Sequence, residues 1–109
     1  MTTWLWTFAG TLAIESLVVA ALGVGCRVPR ARLARWLQVC IAANLLTHPI
    51  GTVLLWTTPV DWFVVEVGVV VVEALWYRAI LGVSGLRAAA VAGAANVASA
   101  AFAILWFAR

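Results

Sequence analysis

The sequence predicts an all-α protein, a four-helix transmembrane bundle with both termini on the outer side. Three observations lead there. Of 109 residues, 66% are hydrophobic and only 10% are charged, whereas an average soluble domain carries about 25% charged residues. Four apolar stretches are each long enough for a crossing, which takes about 20 residues. The basic residues, all arginine, gather in two short connections. One integral membrane domain spanning 1–109 follows, with no room for a domain outside the bilayer.

The first span is expected at about 4–25. The stretch from Met1 to Trp6 lacks the basic start of a signal peptide, and Glu15 interrupts what would be its apolar region. The segment therefore reads as a retained helix. A basic connection from Cys26 to Arg35 follows, broken by Pro29. The second span is expected at about 36–58. Pro59, Val60 and Asp61 then make a turn so short that the second and third spans must be antiparallel neighbours. The third span covers about 62–80. Gly82, Ser84 and Gly85 mark the next turn, and the fourth span covers about 88–108.

Orientation comes from the arginines. Arg27, Arg30, Arg32 and Arg35 lie in the first connection, Arg78 and Arg87 around the third, and only Asp61 in the second. The positive-inside tendency puts both basic connections in the cytoplasm and both termini outside. Trp4, Trp6, Trp56, Trp62 and Trp106 gather at one boundary, and Trp36 and Trp76 at the other, as interface anchors do. Arginine without lysine, among abundant alanine, valine and glycine, suits a GC-rich bacterial genome. The expected location is the bacterial cytoplasmic (inner) membrane, multi-pass. The net charge of +3 is read as topology. Without a soluble face, nucleic acid is not an expected partner.

Glu15, Asn44, His48, Glu66, Glu73 and Asn96 sit inside the apolar stretches. A charged side chain at the bilayer centre costs about 2.5–3.5 kcal/mol on insertion scales, so such residues are rare and face a bundle interior. Glu66 and Glu73 are seven apart and share a helix face, separated by ~10.5 Å along it. Asn44 and His48, four apart, point the same way, as do Asn96 and Ser99, three apart. If these faces turn inward, all four helices feed one network. Pro49 frees the carbonyl of Leu45 in the run from Asn44 to Pro49. Asn44, Thr47 and His48 are the expected partners for that carbonyl, and a free carbonyl beside carboxylates would suit a cation. The simpler role for Asn44 and Thr47 is hydrogen-bonding between helices. Three carboxylates without a buried lysine or arginine must share protons, hold a metal or a protonated His48, or face water.

The two hairpins resemble each other. Arg35 precedes Asn44 as Arg87 precedes Asn96, and Thr47 and Ser99 follow the two asparagines at the same offset. A shift of about 52 residues also sets Glu15 beside Glu66. This would be a parallel repeat about an axis normal to the membrane. Coincidence among alanine-rich helices is the alternative. In the fourth span Ala88, Ala92, Asn96 and Ala100 form one row of small residues, and Ala89 and Gly93 another. Such rows pack closely inside a bundle or against another protomer.

The run from Asn44 to Pro49 (N-L-L-T-H-P), the spaced glutamates from Glu66 to Arg78 and the stretch from Ala95 to Ser99 together resemble a loose group of small, uncharacterised bacterial membrane proteins. The resemblance implies a four-helix membrane protein and supplies no activity.

Three functions compete. The first is proton or cation binding and translocation by a homo-oligomer, with Glu15, His48, Glu66 and Glu73 as relay or ligand groups. Asn44, Thr47, Asn96 and Ser99 would orient them. Glutamate, histidine and oxygen donors suit protons, Mn, Fe or Zn, so a metal ion or a proton is the only cofactor considered. The second is a non-catalytic subunit of a larger membrane complex, its polar layer meeting a neighbour. The third is an intramembrane enzyme using Glu73 with His48. No HExxH spacing or histidine cluster exists, and the lack of CxxCH excludes covalent heme. Cys26 and Cys40 are expected to be ordinary packing residues.

Overall fold

The computed structural model describes residues 2–107, and within them it is all-helical. The helices are α1 (Thr2–Gly25), α2 (Arg30–Thr57), α3 (Trp62–Leu81) and α4 (Gly85–Phe107). The last expected residue of the fourth span, Ala108, and Arg109 lie outside the described residues.

Helix ends follow capping chemistry rather than hydropathy. α2 begins at Arg30, directly after Pro29, and so takes in the arginine-rich segment expected to be a connection. Polar residues continue a helix as well as apolar ones, and the apolar count located only the membrane-compatible part. Asp61 caps α3 by accepting from the Phe63 N–H at 2.8 Å. Gly82 ends α3 with φ of 66°, a left-handed turn that a side chain would disfavour. Ser84 accepts from the Arg87 N–H at 3.2 Å, which starts α4 earlier than the expected 88.

The four helices form a ring about 40 Å long. α1 packs on α2 and α4, and α3 on α2 and α4, while the backbones of the diagonal pairs stay apart and meet only through side chains in the core. Neighbours are antiparallel. The Trp4 indole near the start of α1 donates to Thr52 near the end of α2 (3.0 Å), and Gly23 near the end of α1 faces Leu33 near the start of α2. A methyl group on Gly23 would crowd the tip of the Leu33 side chain, which would have to turn aside.

α1, α2 and residues Gly85–Trp106 of α4 are long and apolar enough to cross a membrane. α3 is not among them, because its 20 residues carry Glu66, Glu73 and Arg78. Trp6, Leu86, Val97 and Leu105 stand on the outside of the bundle, each more than two-thirds exposed. An apolar exterior around buried polar residues is the pattern expected of a membrane protein.

The bundle has two unlike halves along its length. Where α1 and α3 end, Trp36 and Tyr77 fill the interior against Val19, Ala88 and Ala92. Large residues on α2 and α3 meet small ones on α4, so this half is filled with side chains. The row of Ala88, Ala92 and Asn96 is buried there, whereas Ala89 faces outward. In the other half the helices enclose a cavity of about 450 Å³.

Candidate functional site

Between the two halves, six buried polar side chains close a hydrogen-bonded ring. Asn44 on α2 donates to Glu15 Oε2 on α1 at 2.7 Å. Ser99 on α4 donates to Glu15 Oε1 at 2.8 Å. Asn96 on α4 donates to Glu73 Oε2 on α3 at 3.0 Å, and Thr47 on α2 donates to Glu73 Oε1 at 3.1 Å. Each of the four helix contacts therefore carries one bond of the ring. Glu15 and Glu73 are 1% and 0% exposed, and all four of their oxygens are used.

The four donors behave in two ways. Asn44 Nδ2 also bonds to the Cys40 carbonyl (3.0 Å), and Asn96 Nδ2 to the Ala92 carbonyl (2.8 Å). An amide nitrogen has two hydrogens, so both are committed and the asparagines are fixed donors. The hydroxyls are different. Thr47 Oγ1 lies 2.9 Å from the Ala43 carbonyl, and Ser99 Oγ 3.1 Å from the Asn96 carbonyl. Each hydroxyl has one hydrogen and two acceptors within reach, its own helix and a glutamate.

This pattern has a two-fold relation that exchanges α1 with α3 and α2 with α4. Glu15 then corresponds to Glu73, Asn44 to Asn96, and Ser99 to Thr47. The asparagines pair as the repeat in the sequence suggested, but the glutamate partner of Glu15 is Glu73 rather than Glu66. The first hairpin separates Glu15 from Asn44 by 29 residues, and the second separates Glu73 from Asn96 by 23. A constant shift of about 52 could not align both glutamates across that difference.

His48 and Glu66 stand apart from the ring. The His48 ring packs on Phe8 (centroids 4.8 Å apart) and edge-on to Trp4 (5.8 Å), and its Nδ1 is buried without a hydrogen bond among the described residues. It makes no hydrogen bond to Glu73, so the expected His48–Glu73 pair is not formed. Glu66 is half-buried and lines the cavity above Glu15. Nor does the Leu45 carbonyl, left without its helical donor by Pro49, take the partners expected for it. Asn44 and Thr47 bond to the carbonyls of Cys40 and Ala43, not to that of Leu45. No group of three or more histidine, cysteine or acidic residues is placed to hold a metal among the described residues.

The cavity itself escaped the sequence reading. Thr3, Thr7 and Thr11 line it and lead down α1 to Glu15 at four-residue intervals, with Thr52 facing them from α2. The signal was present, since threonine every fourth residue before a buried glutamate is a polar stripe on one helix face. On the opposite side of the ring the Tyr77 hydroxyl lies beside the Cys40 thiol within the packed core. The ring is thus reached through polar side chains from one end and closed by apolar ones at the other. No known family model, curated protein or solved structure matches this chain.

Proposed function

We propose that this chain is a four-span protein of the bacterial inner membrane, with both termini outside, that binds protons on Glu15 and Glu73 and passes them across the bilayer. The observation that carries the reading is the division of each carboxylate between a fixed amide donor and a hydroxyl with two acceptors. When Glu73 is ionised, Thr47 donates to its Oε1. When Oε1 is protonated, it donates to Thr47, whose own hydrogen turns to the Ala43 carbonyl. Ser99 does the same for Glu15 with the Asn96 carbonyl. Either protonation state is satisfied by rotating one hydroxyl, which is what a reversible proton site in a low-dielectric interior needs.

The oxygens facing Asn44 and Asn96 stay acceptors, so the exchangeable proton belongs on Oε1 of each glutamate. Thr3, Thr7 and Thr11 supply the outer approach. Passage to the cytoplasmic side requires the layer around Trp36 and Tyr77 to open. The proton reading is favoured over a metal, because amides and hydroxyls already occupy all four carboxylate oxygens. It is also favoured over an assembly subunit, because the six residues of the ring are satisfied within one chain. Assembly into a homo-oligomer belongs to the same reading, and a native mass of the purified protein tests it.

The experiment is proton flux into liposomes containing the purified protein and a trapped pH dye, alongside infrared spectra of the carboxyl groups. Glu73→Gln and Glu15→Gln should each abolish flux and remove one protonated-carboxyl band from a folded protein. Unchanged flux and spectra in both variants would remove the ring from the mechanism.

A further inference from the structure

The cavity above the ring adjoins a second space. A groove of about 690 Å³ lies between α1 and α4, lined by Trp6, Ala9, Gly10, Phe102 and Trp106. The groove and the cavity share Thr3, Thr7 and Ala103 as a common wall. Their chemistry differs sharply. The groove is aromatic and aliphatic and lies on the lipid-facing side of the bundle, whereas the cavity holds threonines, Glu66 and three tryptophans, Trp4, Trp56 and Trp62. Both volumes fall in the range of about 300–1,000 Å³ typical of small-molecule sites.

Two features select the charge of an occupant. Among the described residues no arginine lines either space, and Arg27, Arg30, Arg32, Arg35, Arg78 and Arg87 all sit at the opposite end of the bundle. A phosphate or sulfate head would therefore meet carboxylate without compensation. Glu66 is the free acid of the cavity, because it makes no hydrogen bond among the described residues while both oxygens of Glu15 are engaged. A carboxylate beside indole faces is the chemistry that holds ammonium groups.

We propose that the two spaces together form a binding site for a cationic amphiphile, a molecule with one ammonium head and one alkyl tail. The head sits in the cavity against Glu66, with Trp4, Trp56 and Trp62 around it. The tail lies in the groove along Gly10 and Phe102 and enters sideways from the outer leaflet. Gly10 gives the groove its depth, since even a methyl group there would approach Phe102 to 3.1 Å. The site stands on Glu66 and the outer half alone and does not require proton exchange on the ring.

The test uses the full-length protein in an uncharged maltoside detergent, titrated calorimetrically with dodecyltrimethylammonium below its micelle concentration. Saturable one-to-one binding is expected, weakened at least tenfold in Glu66→Gln and largely restored in Glu66→Asp. Tetramethylammonium, lacking a tail, should bind at least tenfold more weakly than the amphiphile. Dodecyl sulfate should show no saturable site. Ala103→Trp, at the wall between the spaces, should abolish binding while leaving the helical circular dichroism unchanged. Equal binding of cationic and anionic amphiphiles, or full binding by Glu66→Gln, would overturn the proposal. Loss only in Glu15→Gln would also overturn it, by moving the cation to the ring.

Discussion

The two halves of this bundle are built from the same four helices, yet one is filled with side chains and the other encloses a chamber. On the proposed orientation the filled half is the inner one, and there Trp36 and Tyr77 interlock with Val19, Ala88 and Ala92. In the outer half, Thr3, Thr7 and Thr11 on α1 line a cavity together with Thr52 on α2. The difference comes from which residue stands on the inward row of each helix. In a bilayer the exterior must be apolar throughout, so only that row is free to differ between a sealed end and an open one. The glutamate ring sits where one regime gives way to the other.

The largest expected contrast between the halves is in packing. Tyr77→Ala should destabilise the protein by about 3 kcal/mol, near the low end for losing a buried aromatic, because no collapse of α4 can refill the space. Thermal unfolding in detergent, followed by helical circular dichroism, measures it. A small effect would mean that the inner half is looser than its packing implies.

Next in size is the ring. Asn44→Leu and Asn96→Leu each leave one buried glutamate oxygen without a donor, which should cost about 1–3 kcal/mol. The two losses should agree within about 0.5 kcal/mol, roughly the scatter seen for independent sites. A clear inequality in the same unfolding assay would break the correspondence of Glu15 with Glu73. Thr47→Val and Ser99→Ala should cost less, about 0.5–1.5 kcal/mol, since the asparagine bond survives in each half-site. Both should nonetheless shift the infrared carboxyl band of the glutamate they face. A shift confined to one variant would show that only one half-site exchanges its proton with a hydroxyl.

The smallest stability effects belong to the outer half. Thr7→Cys and Thr11→Cys, in a Cys26→Ser background, should change stability by less than about 0.5 kcal/mol. Both should react with a membrane-impermeant thiol reagent added outside. Val19→Cys and Ala95→Cys should not react, and labelling there would extend the water path through the inner half.

Much of the site is legible in the sequence. Glu15, Asn44, Thr47, Glu73, Asn96 and Ser99 stand out because a polar group in an apolar stretch needs a partner, and the structure gives each one. His48 is less legible. A histidine four residues after an asparagine shares its side of the helix, but the same side spans both the ring and the aromatic contact with Trp4 and Phe8. Glu66 follows the same pattern, since a seven-residue spacing puts it in line with Glu73 but about two turns higher. Shared direction does not give shared depth. The arginine-rich start of α2 is missed because hydropathy reports where lipid can contact a helix, not where its hydrogen-bond ladder begins.

By itself the sequence determined the helical class, the short connections, the turn chemistry at Asp61 and Gly82, and the set of residues that had to face inward. These follow from local rules, namely composition, spacing and capping, which act within one helix or one turn. Only the tertiary structure decided which glutamate pairs with which asparagine, which end of the bundle is filled, and where a cavity opens. Those outcomes depend on how far each helix is displaced along its neighbours. That displacement is set by contacts such as Gly23 on Leu33 and Trp4 on Thr52, between residues far apart in the chain.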